Sequence, residues 1–415
     1  MGKDRNVKKA LLPLLLVSTF GLSACSTISG WFTDDEELEI RILKPINAEF
    51  TPTTVWNTEL GDGIDHYFSR LKPAVAYDMV FAANRQGKVA AYSKETGKEI
   101  WHKNYAVFNH EGFTSSITNL WSSGVSAKIA GGLAVAYETL FFGTENGDVT
   151  ALDVHTGEQK WSVKVKGEVL ASPAIDEGIV VINTGSGLMF GLDAESGEQV
   201  WSYESDVPPL SLRGIAAPVA ANGGAIVGTA SGKLAVNILG TGQTAWEQPI
   251  GSATGATELD RIVDIDSKPL VSGGVIYVIS FDGSLASVEL RSGRIIWKRE
   301  YKSYRRLTQA GNTLFVVDAN SNVYALDARN GIELWSQGAL KQRLLTAAEP
   351  VGDYLVAGDK WGFLHFFNQA DGKIVARVDV GGDDEDESIY SAPVVDGKML
   401  YTQTRDGKLV AIQVP

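Results

Sequence analysis

The sequence predicts an all-β fold, an eight-bladed β-propeller of four-stranded antiparallel blades, with the ring closed by an N-terminal strand pairing with the C-terminal blade. Three observations predict it. A unit of short apolar strands ending in tryptophan recurs along the chain; its last copy runs off the C-terminus one strand short; and a tryptophan strand without a unit of its own stands near the N-terminus. A recurring supersecondary unit of this length marks an array whose members bury a shared core.

The clearest copy is Gly147-Asp148-Val149-Thr150-Ala151-Leu152-Asp153-Val154-His155-Thr156-Gly157-Glu158-Gln159-Lys160-Trp161. Others run from Gly87 to Trp101, Gly187 to Trp201, Gly232 to Trp246, Gly283 to Trp297, and Asn322 (with no leading glycine) to Trp335. The seventh starts at Gly362 and places Ala376 where tryptophan is expected. The eighth, Gly407-Lys408-Leu409-Val410-Ala411-Ile412, stops before its tryptophan strand, and Thr54-Val55-Trp56-Asn57-Thr58 supplies the missing piece. Such closure leaves no unpaired sheet edge at the seam.

Each unit reads as four strands with a period near two; in the third they are 172–175, 179–182, 188–192 and 199–202. Pro73, Pro173, Pro218, Pro269, Pro350 and Pro393 open the first strand of their blades. That strand borders the channel, so a missing amide donor costs little there. Glycine in the Thr-Gly and Ser-Gly turns supplies positive φ. Each tryptophan is expected to lie between adjacent blades and bury on the order of 200 Å². Its recurrence in one slot reads as architecture, not as a ligand-stacking site.

The N-terminus reads as a targeting segment. Lys3, Arg5, Lys8 and Lys9 precede the apolar run Ala10–Val17, which is shorter than the roughly 20 residues a transmembrane helix needs. Leu22-Ser23-Ala24-Cys25 resembles the bacterial lipobox. That resemblance implies lipidation of Cys25 as the mature N-terminus; the alternative is a plain signal peptide with an incidental cysteine. Ser26, in place of an inner-membrane-retaining aspartate, implies the outer membrane and its periplasmic face. The expected organisation is a signal peptide over 1–24, a lipidated flexible tether over 25–49 carrying Asp34-Asp35-Glu36-Glu37 and Pro45, and the propeller over 50–415.

Cys25 is the one cysteine of the chain, which excludes a disulfide framework. The formal charge of −13 becomes −16 once residues 1–24, with four basic side chains and one aspartate, are removed. So acidic a body is a poor partner for nucleic acid or anionic headgroups.

The Ala-Leu-Asp-x-x-Thr-Gly-x-x-x-Trp pattern resembles the tryptophan-docking repeat of pyrroloquinoline-quinone dehydrogenases. Those enzymes hold their quinone with calcium and commonly a vicinal disulfide, and some add a Cys-x-x-Cys-His haem site; a chain with one cysteine can build neither cysteine feature. The lipobox, the acidic tether, Phe50-Thr51-Pro52-Thr53-Thr54 and eight repeats together resemble more closely the BamB family of outer-membrane protein assembly lipoproteins. Two segments that the repeat does not require carry the likeness further: Pro209-Leu210-Ser211-Leu212-Arg213-Gly214, and 253–266 with its Asp264-Ile265-Asp266. The resemblance implies a non-enzymatic subunit of the β-barrel assembly machine without cofactor, metal or catalytic residues. It implies docking on the periplasmic POTRA domains of the barrel subunit through Leu210, Leu212, Arg213, Asp264 and Asp266, with unfolded outer-membrane proteins as a further partner at strand edges.

The same segments stand out from the residues alone. Pro208-Pro209 stiffen a loop in which Leu210 and Leu212 flank Ser211 ahead of Arg213, a composition suited to a protein-binding anchor. The alternative is that the leucines cap the blade and Arg213 pairs with a nearby carboxylate. The next inter-blade loop carries Glu258, Asp260, Arg261, Asp264 and Asp266, and no Asp-x-Asp-x-Asp-Gly calcium loop. Adjacent inter-blade loops share a rim, which is expected to join Arg213 with Asp264 and Asp266 in one patch of both charges.

His66, His102, His110, His155 and His365 show no ligand spacing, and no nucleophile elbow, phosphate loop or His-Glu-x-x-His motif occurs. Asp383–Glu387 reads as a solvated acidic run, and 105–123, with Phe108, Phe113 and Trp121, as an aromatic insertion that covers a face or meets a partner. Two other classes stay open: a quinone- or metal-dependent periplasmic enzyme, and a glycan-binding propeller.

Overall fold

Alternating apolar residues with a glycine turn every few positions can only fold as short antiparallel strands, and the computed structural model shows how they assemble. It describes residues 39–107, 124–213, 215–254, 256–381 and 387–415. Cys25, the signal peptide, most of the tether, most of the 105–123 insertion, His110 and Asp383–Asp386 lie outside the described residues. Residues 39–45 belong to a unit separate from the body, which begins at Ile46.

The described strands form eight sheets of four, seven in plain sequence order and one that takes its outer strand from the other end of the chain. Numbered from the N-terminus, blade one spans Ala74–Asn104 and blade seven Glu349–Asp379; blade eight joins Val394–Asp396, Met399–Gln403 and Lys408–Gln413 to Thr53–Glu59. The closing pair is antiparallel, with Trp56 opposite Ala411 and Thr58 opposite Leu409. The prolines sit at the innermost strands as expected: Pro73, Pro173, Pro218, Pro269 and Pro393 immediately precede them, and Pro350 lies within one. Burial rises and falls across a blade. The second strand of blade two, Thr139–Gly143, is buried at every position, whereas the outer strand Gln159–Lys164 buries Trp161 alone.

The tryptophans make the joints between blades. Seven indole N–H groups, from Trp56, Trp101, Trp161, Trp201, Trp246, Trp297 and Trp335, donate at 2.7–3.0 Å to a carbonyl in the last turn of the next blade. The ring lies on that turn's glycine: a Cβ on Gly242 would sit 2.7 Å from the Trp201 ring, and its φ is +70°. Glycine is therefore required there twice over, for a left-handed backbone and for space. Opposite each tryptophan the third strand keeps a residue no larger than valine, such as Ala91, Gly191 or Ser287. One residue earlier the outer strand bulges, turning Ile100, Val200 and Leu334 outward to about half exposure.

Ala376 breaks the tryptophan series for a topological reason. The blade after it is the composite one, whose outer strand comes from Thr53–Glu59 and is joined to the third by no turn, so an indole would find neither its glycine nor its carbonyl. Size is exchanged across the pair instead: Phe366 stands opposite Ala376. Phe50 then fills the joint, with its ring 5.5 Å from Phe366 and 4.6 Å from Tyr354, and the Glu49 N–H donates to the Val375 carbonyl at 2.8 Å.

Blade seven also buries a charge network. Asp359, fully buried, accepts from Arg343 Nε at 2.7 Å and bonds His365 Nε2 at 2.8 Å, while Arg377 Nε donates to His365 Nδ1 at 3.1 Å. An arginine can only donate, so Nδ1 is the acceptor and the neutral ring carries its proton on Nε2, toward Asp359. Trp361 covers the Arg343 guanidinium at 4.4 Å.

Trp201→Ala should cost roughly 3–5 kcal/mol, and Phe50→Ala, at a half-buried ring, about half as much, both read as shifts of the urea midpoint. Burial foremost, with Arg377 and Arg343, holds the His365 pKa below its ordinary value, partly opposed by Asp359. With the folded pKa depressed, the neutral ring's contribution is complete above about pH 6.5 and is lost as pH falls toward the folded value. Acidification from about pH 7 to about pH 5 should therefore destabilise the wild-type chain more than His365→Gln, as thermal midpoints at the two pH values will show.

Candidate functional site

The strands are committed to the ring, so side chains for recognition must come from connections. Among the longer inter-blade connections, two are described at all but one position each: the one leaving blade three at Glu204 and reaching Val219, and the one leaving blade four at Pro249 and reaching Leu270. The structure brings them together. The Leu212 N–H donates to Asp264 Oδ2 at 2.7 Å, and the second segment turns through a short 3-10 helix at Leu259–Arg261. Leu210 is 40 % exposed and Leu259 70 %, while Leu212 is half-buried.

The five predicted residues therefore do two different things. Leu210, Leu212 and Arg213 reach the surface or its edge. Asp264 and Asp266 do not offer surface charge as expected, being 1 % and 7 % exposed. Asp264 props the Leu212 backbone, and its other carboxylate oxygen has no hydrogen-bond partner. Burial pushes the Asp264 carboxyl up to about 6, the Leu212 N–H opposing and Asp266 adding to the effect. Burial likewise raises Asp266, against the pull of Arg70.

Arg213 is not paired with these aspartates. Its Nη2 reaches Glu145 at 3.2 Å and Glu168 at 3.3 Å, on the blade-two side of the loop. Glu145 is held in turn by Arg85, at 3.0 Å from Nη2, and the Arg85 guanidinium lies 3.6 Å above the Tyr67 ring. A line of alternating charge thus runs along the rim from Tyr67 to Glu168. Arg213, Leu212 and Asp266 also line a 220 Å³ cavity bounded by blades three and four, at Thr184 and Thr229.

Arg70 is the residue that sequence reasoning missed. From the lead-in to blade one, its Nη1 crosses the channel to the carbonyls of Ile215, at 2.9 Å, and Asp266, at 2.5 Å, and so ties down both irregular segments. Neither acceptor is a side chain, so residue type could not have revealed the contact. Among the described residues, no group of three or more His, Cys, Asp or Glu side chains is arranged to hold a metal ion.

Comparison with known proteins identifies the family. The profile of the family described as "Outer membrane protein assembly factor BamB" matches residues 46–112, 116–337 and 319–414. The assembly factor BamB of Alteromonas naphthalenivorans is 59 % identical over 412 residues, covering 99 % of this chain and 98 % of that protein. The crystal structure of BamB from Moraxella catarrhalis superposes with a TM-score of 0.75 at 29 % identity, covering 88 % of this chain and all of that one. A quinohemoprotein alcohol dehydrogenase from Comamonas testosteroni shares the fold alone, with a TM-score of 0.65 at 14 % identity over 90 % of this chain and 79 % of the enzyme. With a profile match and a relative that both run nearly its whole length, the chain belongs to the BamB family of outer-membrane protein assembly factors.

Proposed function

We propose that this chain is a non-enzymatic scaffold of the outer-membrane β-barrel assembly complex, anchored by acyl chains on Cys25 at the periplasmic face. It docks on the POTRA domains of the barrel subunit through Leu210, Leu212 and Arg213, with Asp264 and Asp266 holding that surface in shape. The docked propeller assists folding and insertion of outer-membrane proteins without chemistry of its own. The observation that carries the reading is the locked pair of loops: a proline-stiffened turn presents apolar and charged groups on a support of the buried Asp264 carboxylate and a cross-channel arginine. A surface held in its binding shape loses little conformational entropy on association, which suits a docking face. Arginine and large apolar anchors contribute disproportionately to such contacts.

Arg213→Glu combined with Leu210→Ala should weaken capture of the barrel subunit by roughly thirty- to several-hundredfold, at about 1–2 kcal/mol per anchor. Co-purification from solubilised outer membrane at the wild-type level would show the docking surface to be elsewhere. Asp264 supplies a second test. Its folded pKa is raised, so its stabilising contribution is complete below about pH 4 and is lost as pH rises through about 6. From about pH 7.5 to about pH 5 the thermal midpoint of the wild type should therefore rise relative to that of Asp264→Asn. Asp264→Ala, which frees the Leu212 loop, should reduce capture of the barrel subunit at both pH values.

A further inference from the structure

We propose that the central channel is a binding site for a small multivalent oxyanion. The chain as a whole is acidic, with a formal charge of −13, yet its channel is basic. Arg70, Lys72, Lys268, Arg305 and Arg306, from the lead-ins to blades one, five and six, line one cavity of 160 Å³. Lys72, Lys268 and Arg306 also line a second, of 520 Å³, which is bounded by the turn residues Asn222, Gly273 and Gly274. The three shared cations thus stand between the two cavities.

Most of these cations have partners. Arg306 is salt-bridged to Glu349, Arg70 donates to the Ile215 and Asp266 carbonyls, and Arg305 donates to the Leu344 carbonyl and stacks over Tyr304. Lys72 and Lys268 make no hydrogen bond or ion pair with the described residues. The Lys268 side chain stays open to water although protein surrounds it, which is the situation of a channel group and not of a core group. Five cations face two carboxylates, Asp266 and Glu349. Like charges gathered away from bulk water repel one another and invite a counter-charge. Burial first, then Arg306, and in smaller measure Lys268, bring the Lys72 ammonium down to about 8, with Glu349 partly opposing.

The space selects the ligand. Phe68, Tyr304 and Tyr390 line the smaller cavity together with Arg305, and Arg70 lines it too. A cavity of 160 Å³ holds neither a folded partner nor an extended strand, whereas an ion carrying several charged oxygens fits. Two ammonium groups with all donors unused, beside an arginine, match its acceptors. This site shares Arg70 with the support of the loop surface assigned above to docking, whereas its two lysines take no part in that support.

The test uses the full lipidated chain in detergent, titrated at constant ionic strength with pyrophosphate and, separately, with citrate, by calorimetry and thermal denaturation. The wild type should bind one or both saturably at one site and melt at a higher temperature when loaded. Pyrophosphate alone identifies phosphate chemistry, citrate alone carboxylate chemistry. Lys72→Met with Lys268→Met should weaken binding by at least about tenfold, while Lys164→Met on an exposed outer strand leaves it unchanged. Without added anion, the double variant should melt no lower than wild type, because removing buried like charges relieves repulsion. Absence of saturable binding by wild type, or binding indifferent to the two lysines, overturns the proposal. A double variant that melts lower without anion makes the lysines structural and overturns it as well.

Discussion

The fold depends on one repeated contact, an indole set on the glycine turn of the following blade. Strands within a blade are held by their ladders, but nothing in a ladder holds one blade to the next. The tryptophan does this in two ways, burying its ring between blades and directing its N–H to a carbonyl beyond the joint. A buried indole needs a partner for its nitrogen, and the turn that clears space for the ring also supplies the acceptor. Glycine and tryptophan are thus one device divided between neighbouring blades.

The device requires a blade that ends in a turn, and one blade cannot have one. A ring closed by its own two ends must contain a discontinuity, and here it falls in the outermost joint of the composite blade. The chain answers by moving bulk from the outer strand to the third strand, where Phe366 replaces a small residue, and by bringing in Phe50 from the segment ahead of the closing strand. The pairing of Trp56 with Ala411 closes the ring by hydrogen bonds, and Phe50 closes it by packing.

What the sequence made legible follows from the range of the interactions. The blades, their proline-led inner strands and the closing strand could be read because each depends on spacing within some fifteen residues or on a count of units. Ala376 could be read as an exception, but not its remedy, since Phe50 lies more than three hundred residues away. The irregular loops could be located for the same local reason. The direction of their side chains could not: Asp264 and Asp266 have the residue type of a solvated surface, yet one supports a backbone amide and both are buried. Arg70 acts through main-chain carbonyls, and Lys72 meets Lys268 and Arg306 only because the ring folds their distant segments onto one axis.

Where the irregularity falls also follows from the joints. A blade offers turns on one face and, on the other, the turn between its second and third strands together with the connection to the next blade. The last turn of each complete blade is occupied by a neighbour's tryptophan and can take little but glycine, so the face that carries it has small freedom to vary. The opposite rim bears no such constraint. The two connections of the proposed docking surface lie there, as do the lead-ins that bring the channel cations, and Arg70 belongs to both sets. A substitution at Arg70 would disturb the loop surface and the channel together, whereas Arg213 touches only the first and Lys268 only the second. The propeller thus confines variable chemistry to one rim, and recognition by this chain is to be sought there and along the axis the rim encloses.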